Sequence, residues 1–162
     1  MRTTILQCRQ ALIDELDCVY SGEIKMIEVL PSLWAKTQSP ELAVLLRQFL
    51  RESHAHVLLL GEMQRALGSP DVKIHWEGLM ASVDQLVSQI SESESNNASD
   101  LTLVGGLIRI KGLKIAGYSV ARSLAENLQI SHTMTIIIKM ILTEMEGELE
   151  LFRVASDMVH NQ

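Results

Sequence analysis

Residues 102–127, TLVGGLIRIKGLKIAGYSVARSLAEN, hold a helical apolar seam with two lysines in its middle. At spacings of three and four the seam runs Val104, Leu107, Lys111, Lys114, Tyr118, Ala121, Ala125 and Leu128. Arg109, Gly112, Ala116, Ser119, Ser123 and Glu126 make the polar stripe elsewhere on the same helix, so Lys111 and Lys114 are expected to point inward. An ammonium on a core face must be neutralised, so the helices that face this one are expected to supply acids.

The chain of 162 residues is long enough to bury a real core as one domain, expected over 1–162. Apolar residues make up 47% of it but aromatics only 4%, with eight methionines as irregular fillers, a composition that suits packed helices. The net charge of −6 and the scattering of the 14 Lys and Arg leave no basic field for nucleic acid. Cys8 and Cys18 fall on one helix, about 15 Å apart along its axis, and cannot pair within it. There is no charged segment leading into a signal-like apolar run, and no apolar stretch of about 18 residues. Neither secretion nor a membrane span is therefore indicated, and a reducing cytoplasm is the expected location.

Five helices follow from the pattern. The first is expected over 3–36, with an inward seam of Ile5, Cys8, Leu12, Leu16, Val19, Glu23, Met26, Leu30 and Leu33 and a kink before Pro31. Ser39 can cap the second, Pro40 suits its first position, and Glu41 complements the dipole. Its seam of Leu42, Leu45, Phe49, Glu52, His56, Leu59, Met63 and Ala66 ends at Gly68-Ser69-Pro70. A short third helix over 73–90 presents Trp76, Leu79, Met80, Val83, Leu86, Val87 and Ile90. The Ser, Glu and Asn run of 91–97 reads as a loop, after which Ser99 or Asp100 is expected to cap the lysine-bearing helix. The fifth helix runs to about residue 158 with Met134, Ile137, Ile141, Glu144, Glu148, Leu151, Ala155 and Met158 inward. No period-2 alternation and no hairpin turn is present, so the fold is expected to be all-α, two helical hairpins joined by the third helix as crossover.

Each long helix places an ionisable residue near the middle of its seam: Glu23, then Glu52 and His56, then Lys111 and Lys114, then Glu144 and Glu148. Four-helix bundles that hold pairs of iron or manganese ions converge carboxylates and histidines in this way, because hard cations prefer oxygen and imidazole donors. His54 lies about 200° round the helix from His56 and is expected at the surface, as are His75, His132 and His160 near helix or chain ends. No activated nucleophile and no phosphate-binding loop is present.

Residues 11–155 resemble the YciE/YciF-type ferritin-like proteins, a bacterial stress-associated family. ALIDELDCVYSGEIKMIEVLPSLW (11–34) is similar to its opening helix, with Glu23 at the acidic position. SPELAVLLRQFLRESHAHVLLLGEMQRALG (39–68) is similar to its second helix, with Glu52 at the carboxylate position and His56 where the family carries His or Gln. IAGYSVARSLAE (115–126) and ILTEMEGELELF (141–152) resemble the last two, with Glu144 at the acidic position. The resemblance implies a ferritin-like four-helix bundle with an additional short crossover helix. It also implies two acids three residues apart just before the IAxY stretch, and this chain has Lys111 and Lys114 there. An ammonium offers no lone pair to a metal and repels a dication.

The expectation is that the metal centre has been replaced by a buried network of Lys111 and Lys114 with Glu23, Glu52, Glu144 or Glu148. The protein would then bind no cofactor and act as a non-enzymatic structural or interaction protein, with a link to stress. The alternative is a metal-binding redox or metal-handling protein that keeps one iron or manganese site from Glu23, Glu52, His56 and Glu144. Apolar residues outside the seams, Leu58, Leu60, Ile136 and Ile138, suggest surplus hydrophobic surface and a symmetric homodimer.

Overall fold

The computed structural model describes residues 2–160, and helices account for nearly all of them. α1 spans Arg2–Trp34, α2 Pro40–Ala66, α3 Glu77–Glu92, α4 Asn97–Asn127 and α5 Ser131–His160. No strand is present among the described residues. None of these helices is long and apolar enough to cross a membrane.

The four long helices pack as a ring, α1 on α2, α2 on α5, α5 on α4 and α4 on α1, and α3 lies across α1 and α4. Neighbours in the ring are antiparallel. Arg9 near the start of α1 donates to the Leu67 carbonyl just beyond α2, while Cys8 reaches the Leu124 carbonyl late in α4. Arg153 late in α5 meets Glu41 early in α2. This is a ferritin-like bundle with a short crossover helix.

Local chemistry sets the helix ends. The Ser39 hydroxyl accepts the Leu42 N–H at 3.2 Å and Pro40 opens α2, as the sequence predicts. At α4 the sequence-based expectation is corrected. Asn96 is the cap, its side chain accepting the Ser99 N–H at 2.9 Å. Asp100 instead turns inward and accepts the N–H groups of Gln38 and Ser39 at 3.2 and 2.9 Å, tying the α1–α2 turn to α4. The α2–α3 connection is held to α1 by buried Asp17. Its carboxylate accepts from Gln64 Nε2 and from the Lys73 and Ile74 N–H groups at 2.8, 2.8 and 3.2 Å. Because the Lys73 and Ile74 N–H groups are spent on Asp17 and that of Trp76 on the Ser21 hydroxyl, α3 starts at Glu77 rather than at 73. Pro31 sits three residues before the end of α1, inside the helix.

The core falls into two apolar halves. One gathers Leu30, Leu33, Leu42, Leu46, Phe49, Leu103, Leu107, Ile110 and Leu151 with the inner face of α3. The other gathers Leu12, Leu16, Val19, Leu60, Met63, Tyr118, Ala121 and Ile137. Close approach of α3 to α4 depends on Gly106, where a Cβ would overlap the Leu86 side chain. Between the two halves every long helix turns a polar residue inward.

Candidate functional site

The polar level is built from Glu23 of α1, His56 of α2, Lys111 and Lys114 of α4, and Glu144 of α5, all buried. Each stands in the seam of its own helix, flanked by apolar residues a turn away, so burial is imposed by the helix and not chosen by the side chain. Both lysines are 4% exposed, and both carboxylates 0%.

Glu144 lies at the centre. Lys114 Nζ donates to Glu144 Oε1 at 2.6 Å and Lys111 Nζ to Glu144 Oε2 at 2.9 Å. Lys114 Nζ also stands 3.0 Å from Glu23 Oε1, which bridges α4 to α1. The same Glu23 oxygen accepts from Tyr118 Oη at 2.5 Å and from His56 Nδ1 at 3.0 Å. An ionised carboxylate is acceptor-only, so Nδ1 is the ring nitrogen that carries hydrogen here. His56 Nδ1 is 3.4 Å from Glu144 Oε1 as well. The ring of His56 meets that of Tyr118 edge-on.

Electrostatics follow from this arrangement. Burial alone would raise the carboxyl of Glu23. The Lys114 charge, with the His56 and Tyr118 hydrogen bonds, outweighs burial and holds it well below the usual carboxylate range. At Glu144 burial again acts upward, and Lys114 and Lys111 together overcome it. Desolvation opposes the charged form of Lys114, but Glu144 and Glu23 bring it above an ordinary lysine. Burial and then the two carboxylate charges push the Tyr118 phenol well above its ordinary value. Two cations thus face two anions across the bundle axis.

Lys111 has a made room. Its ammonium lies 3.8 Å from the centroid of the Phe49 ring, a cation–π contact that gains strength away from water. On α5, the residue opposite is Gly147, where a Cβ would come within 2.8 Å of Lys111 Cε and Nζ and 2.9 Å of Phe49 Cε1. A glycine at this one position lets the lysine enter.

Not every residue singled out in the sequence joins this group. Glu52 is half-buried and accepts from Gln48 Nε2 at 2.8 Å, a turn earlier on its own helix. Its second oxygen, Oε2, is buried and has no hydrogen-bond partner among the described residues, and the same holds for Glu23 Oε2. Glu148 is half-buried and forms no ion pair with either lysine. The inward stripe of α5 runs Thr133, Ile137, Met140, Glu144, Gly147, Leu151 and Val154, so Glu148 falls one position off it. His54, His75, His132 and His160 are exposed as expected. Phe49, Gly147 and the Tyr118 hydroxyl belong to the site and were missed as such. Tyr118 was readable, since its polar tip follows Lys111 and Lys114 along one seam. Nothing in the sequence marks Phe49 or Gly147.

Whether this level suits metal ions of the kind that carboxylate bundles hold is decided by its donors. Glu23, His56 and Glu144 offer ligand atoms that all lie within 4.8 Å of one another. Yet Glu23 Oε1 and both Glu144 oxygens are each within 3.0 Å of an ammonium. A dication there would sit against two fixed positive charges. As arranged, these residues do not fit a dinuclear centre.

The fold has counterparts among solved structures. The E. coli stress protein YciF is similar at a TM-score of 0.90 and 18% identity, with 96% of this chain and 98% of that one covered. YcfI from Rhodopseudomonas palustris is similar at a TM-score of 0.82 and 17% identity, with 86% of this chain and 89% of that one covered. No curated protein sequence matches. The family model described as Domain of unknown function (DUF892) matches residues 7–162. With nearly the whole chain matched, a bundle of the YciF type as its fold and an inward polar level on all four long helices, the protein belongs to this family.

Proposed function

We propose that this protein is a non-enzymatic structural or interaction module, a ferritin-like bundle whose metal centre has been exchanged for a buried lysine–carboxylate network. The observation that carries this reading is the placement of the Lys111 and Lys114 ammonium groups on Glu144 and Glu23. Positive charge that a bound dication would supply is supplied by two side chains of the fold, which need no loading. The Gly147 and Phe49 surroundings support it, because a lysine merely tolerated at a vestigial site would not require a matched glycine on the facing helix. A role under stress is drawn from the description of YciF as a stress protein.

The test is metal content and its consequence for stability. Purified protein is expected to carry less than one equivalent of iron or manganese, and chelator-treated and metal-supplemented samples are expected to melt at the same temperature. Copurification of two equivalents, or a metal-dependent rise in Tm, overturns the reading.

A second reading is favoured by one specific observation: Glu23 and Glu52 each keep a buried oxygen without a partner. Glu23 with His56 and Glu144, whose ligand atoms lie within 4.8 Å of one another, leaves donors for a single weaker iron or manganese site in a metal-handling or redox protein, which Glu52 would join only by turning its free oxygen inward. One equivalent of metal, with iron oxidation or peroxide consumption by the loaded protein, would select it.

A further inference from the structure

A notch between α3 and α4 gathers hydrogen-bond donors that the fold leaves unspent. Its floor is Gly106, where a Cβ would overlap the Leu86 side chain, so the two helices approach closely enough for their polar edges to face each other. Arg109 of α4 forms one wall. Helical side chains lean toward the N-terminus, and its guanidinium folds back over the glycines, with Nη1 3.9 Å from the place of a Gly105 Cβ. Ser82, Gln85 and Gln89 of α3 form the other wall, at steps of three and four along one stripe beside the inward Leu86. The enclosed volume is about 130 Å³, well below the ~300 Å³ at which pockets for organic ligands begin. The occupant that fits is compact.

Charge around this notch is one-sided. The positions a turn from Arg109 on its own helix are Gly105, Gly106, Gly112 and Leu113, and those a turn from Gln85 are Ala81, Ser82, Ser88 and Gln89, so no acid stands beside either. Asp84 and Glu92 of α3 are engaged elsewhere, by Lys25 at 2.6 Å and by the Ser88 hydroxyl at 2.9 Å. Among the described residues the arginine ion pairs belong to Arg122 and Arg153, and neither Arg109 nor the two carboxamides has a hydrogen-bond partner. Ser82 spends its hydrogen on the Gly78 carbonyl at 2.9 Å and so offers lone pairs only. In a chain of net charge −6, two helices thus turn a guanidinium and two carboxamides toward a common space with no carboxylate among them.

We propose that this notch binds the phosphate group of a small molecule, or phosphate itself. A tetrahedral oxyanion suits the two walls better than a planar carboxylate does. Two of its oxygens can take the parallel N–H pair of the guanidinium. The others then point to α3, where Gln85 and Gln89 present amide donors one helical turn apart. A carboxylate has two oxygens, and the guanidinium alone would use both. The bound group would fasten α3 to α4 at the point of their closest approach. This site does not rest on the lysine core, because Lys111 and Lys114 are turned inward from α4 whereas Arg109 is exposed.

Two-dimensional amide NMR of the full chain, titrated at constant ionic strength with inorganic phosphate and with glycerol phosphate, tests the site. Saturable shifts in the millimolar range or below are expected for the side-chain amides of Gln85 and Gln89, the Arg109 Nε–H and the backbone of Gly105 and Gly106. Tighter binding of the ester assigns the notch to phosphorylated small molecules, and tighter binding of the free ion assigns it to phosphate; both uphold it. Acetate is expected to bind about 10-fold more weakly than phosphate, since it leaves the amides of α3 unused. Arg109→Gln is expected to weaken phosphate binding about 10-fold or more, and Gln85→Ala with Gln89→Ala about 10-fold, because each removes hydrogen bonds to a charged group. All three side chains are exposed, so these variants are expected to keep the helical circular dichroism of the wild type. Arg65→Gln, which removes an exposed arginine outside the notch, is expected to leave binding unchanged. Shifts that do not saturate or are scattered over the surface, acetate binding as tight as phosphate, or equal losses in Arg65→Gln and Arg109→Gln would overturn the assignment.

Discussion

At the scale of single residues the energetics of the bundle centre are asymmetric. Burying two ion pairs gains little net stability over a well-packed apolar core, because desolvation cancels most of the Coulombic gain. Removing one member is another matter, since the remaining charges are already out of water. Glu144 takes both lysines, so Glu144→Gln leaves Lys111 without a carboxylate and Lys114 with Glu23 alone. A loss of about 3–5 kcal/mol is expected in urea unfolding. Glu148, one residue off the inward stripe, provides the control. Glu148→Gln is expected to stay within about 0.5 kcal/mol of the wild type, as surface substitutions do. Equal effects of the two changes would mean that the lysines do not depend on Glu144.

At the scale of elements, α5 approaches α2 and α4 closely enough for Lys111 to stack on Phe49 only because position 147 is glycine. A lysine tip would ordinarily swing clear of an added methyl, but this one is held at 2.9 Å by a buried carboxylate. Gly147→Ala is therefore expected to cost about 1–3 kcal/mol as overpacking. In a Lys111→Ala background most of that cost should vanish, a coupling of about 0.5–3 kcal/mol in a double-mutant cycle. Additive costs would place the strain elsewhere. The helices themselves were largely legible in the sequence, because the Ser39-Pro40-Glu41 start and the seams at three and four are local chemistry. So was the anomaly of Lys111 and Lys114, since a charge inside an apolar stripe stands out against its own helix. What the sequence could not resolve is rotation. One residue is 100° of helix, so Glu52 and Glu148 at seam edges are indistinguishable from Glu23 and Glu144 until the neighbours are placed. Asp100 stands where a cap for its own helix would stand, yet it serves the N–H groups of the turn that leads into α2. α5 is apolar on two faces, and its exposed line of Leu142, Met145, Leu149 and Phe152 was masked by the inward one. Of the four residues that the sequence pattern nominated for surplus surface, Leu60 is fully buried, Ile136 and Ile138 are half-buried, and only Leu58 is exposed.

For the whole molecule, the buried charges set the pH range over which the bundle is stable, and the sign differs at the two ends. Glu23 and Glu144 have carboxyls held below their ordinary range in the folded protein. The unfolded chain therefore binds more protons than the folded one as the medium turns acidic, and stability falls with pH. The contribution of these carboxylates is fully present above the unfolded carboxylate value of about 4.3 and is lost as pH drops below it toward the lower folded values. Lys114 and Tyr118 are raised when folded. Their contribution is fully present below the unfolded values, about 10.4 for lysine and about 10 for tyrosine, and is lost as pH rises beyond them. Between about pH 5 and 10 none of the four changes its charge in either state, so Tm should be flat with respect to these four groups and decline on both flanks. The alkaline decline is the distinguishing one, because carboxylates held in metal coordination would bring no lysine or tyrosine protons into the balance. Lys114→Met with Tyr118→Phe removes both of those groups. Melting curves of that double variant, referred to its own neutral plateau, should lose the fall above pH 10 while keeping an acid limb from the remaining Lys111–Glu144 pair. An alkaline fall of unchanged size would show that the buried ammonium and phenol do not govern it.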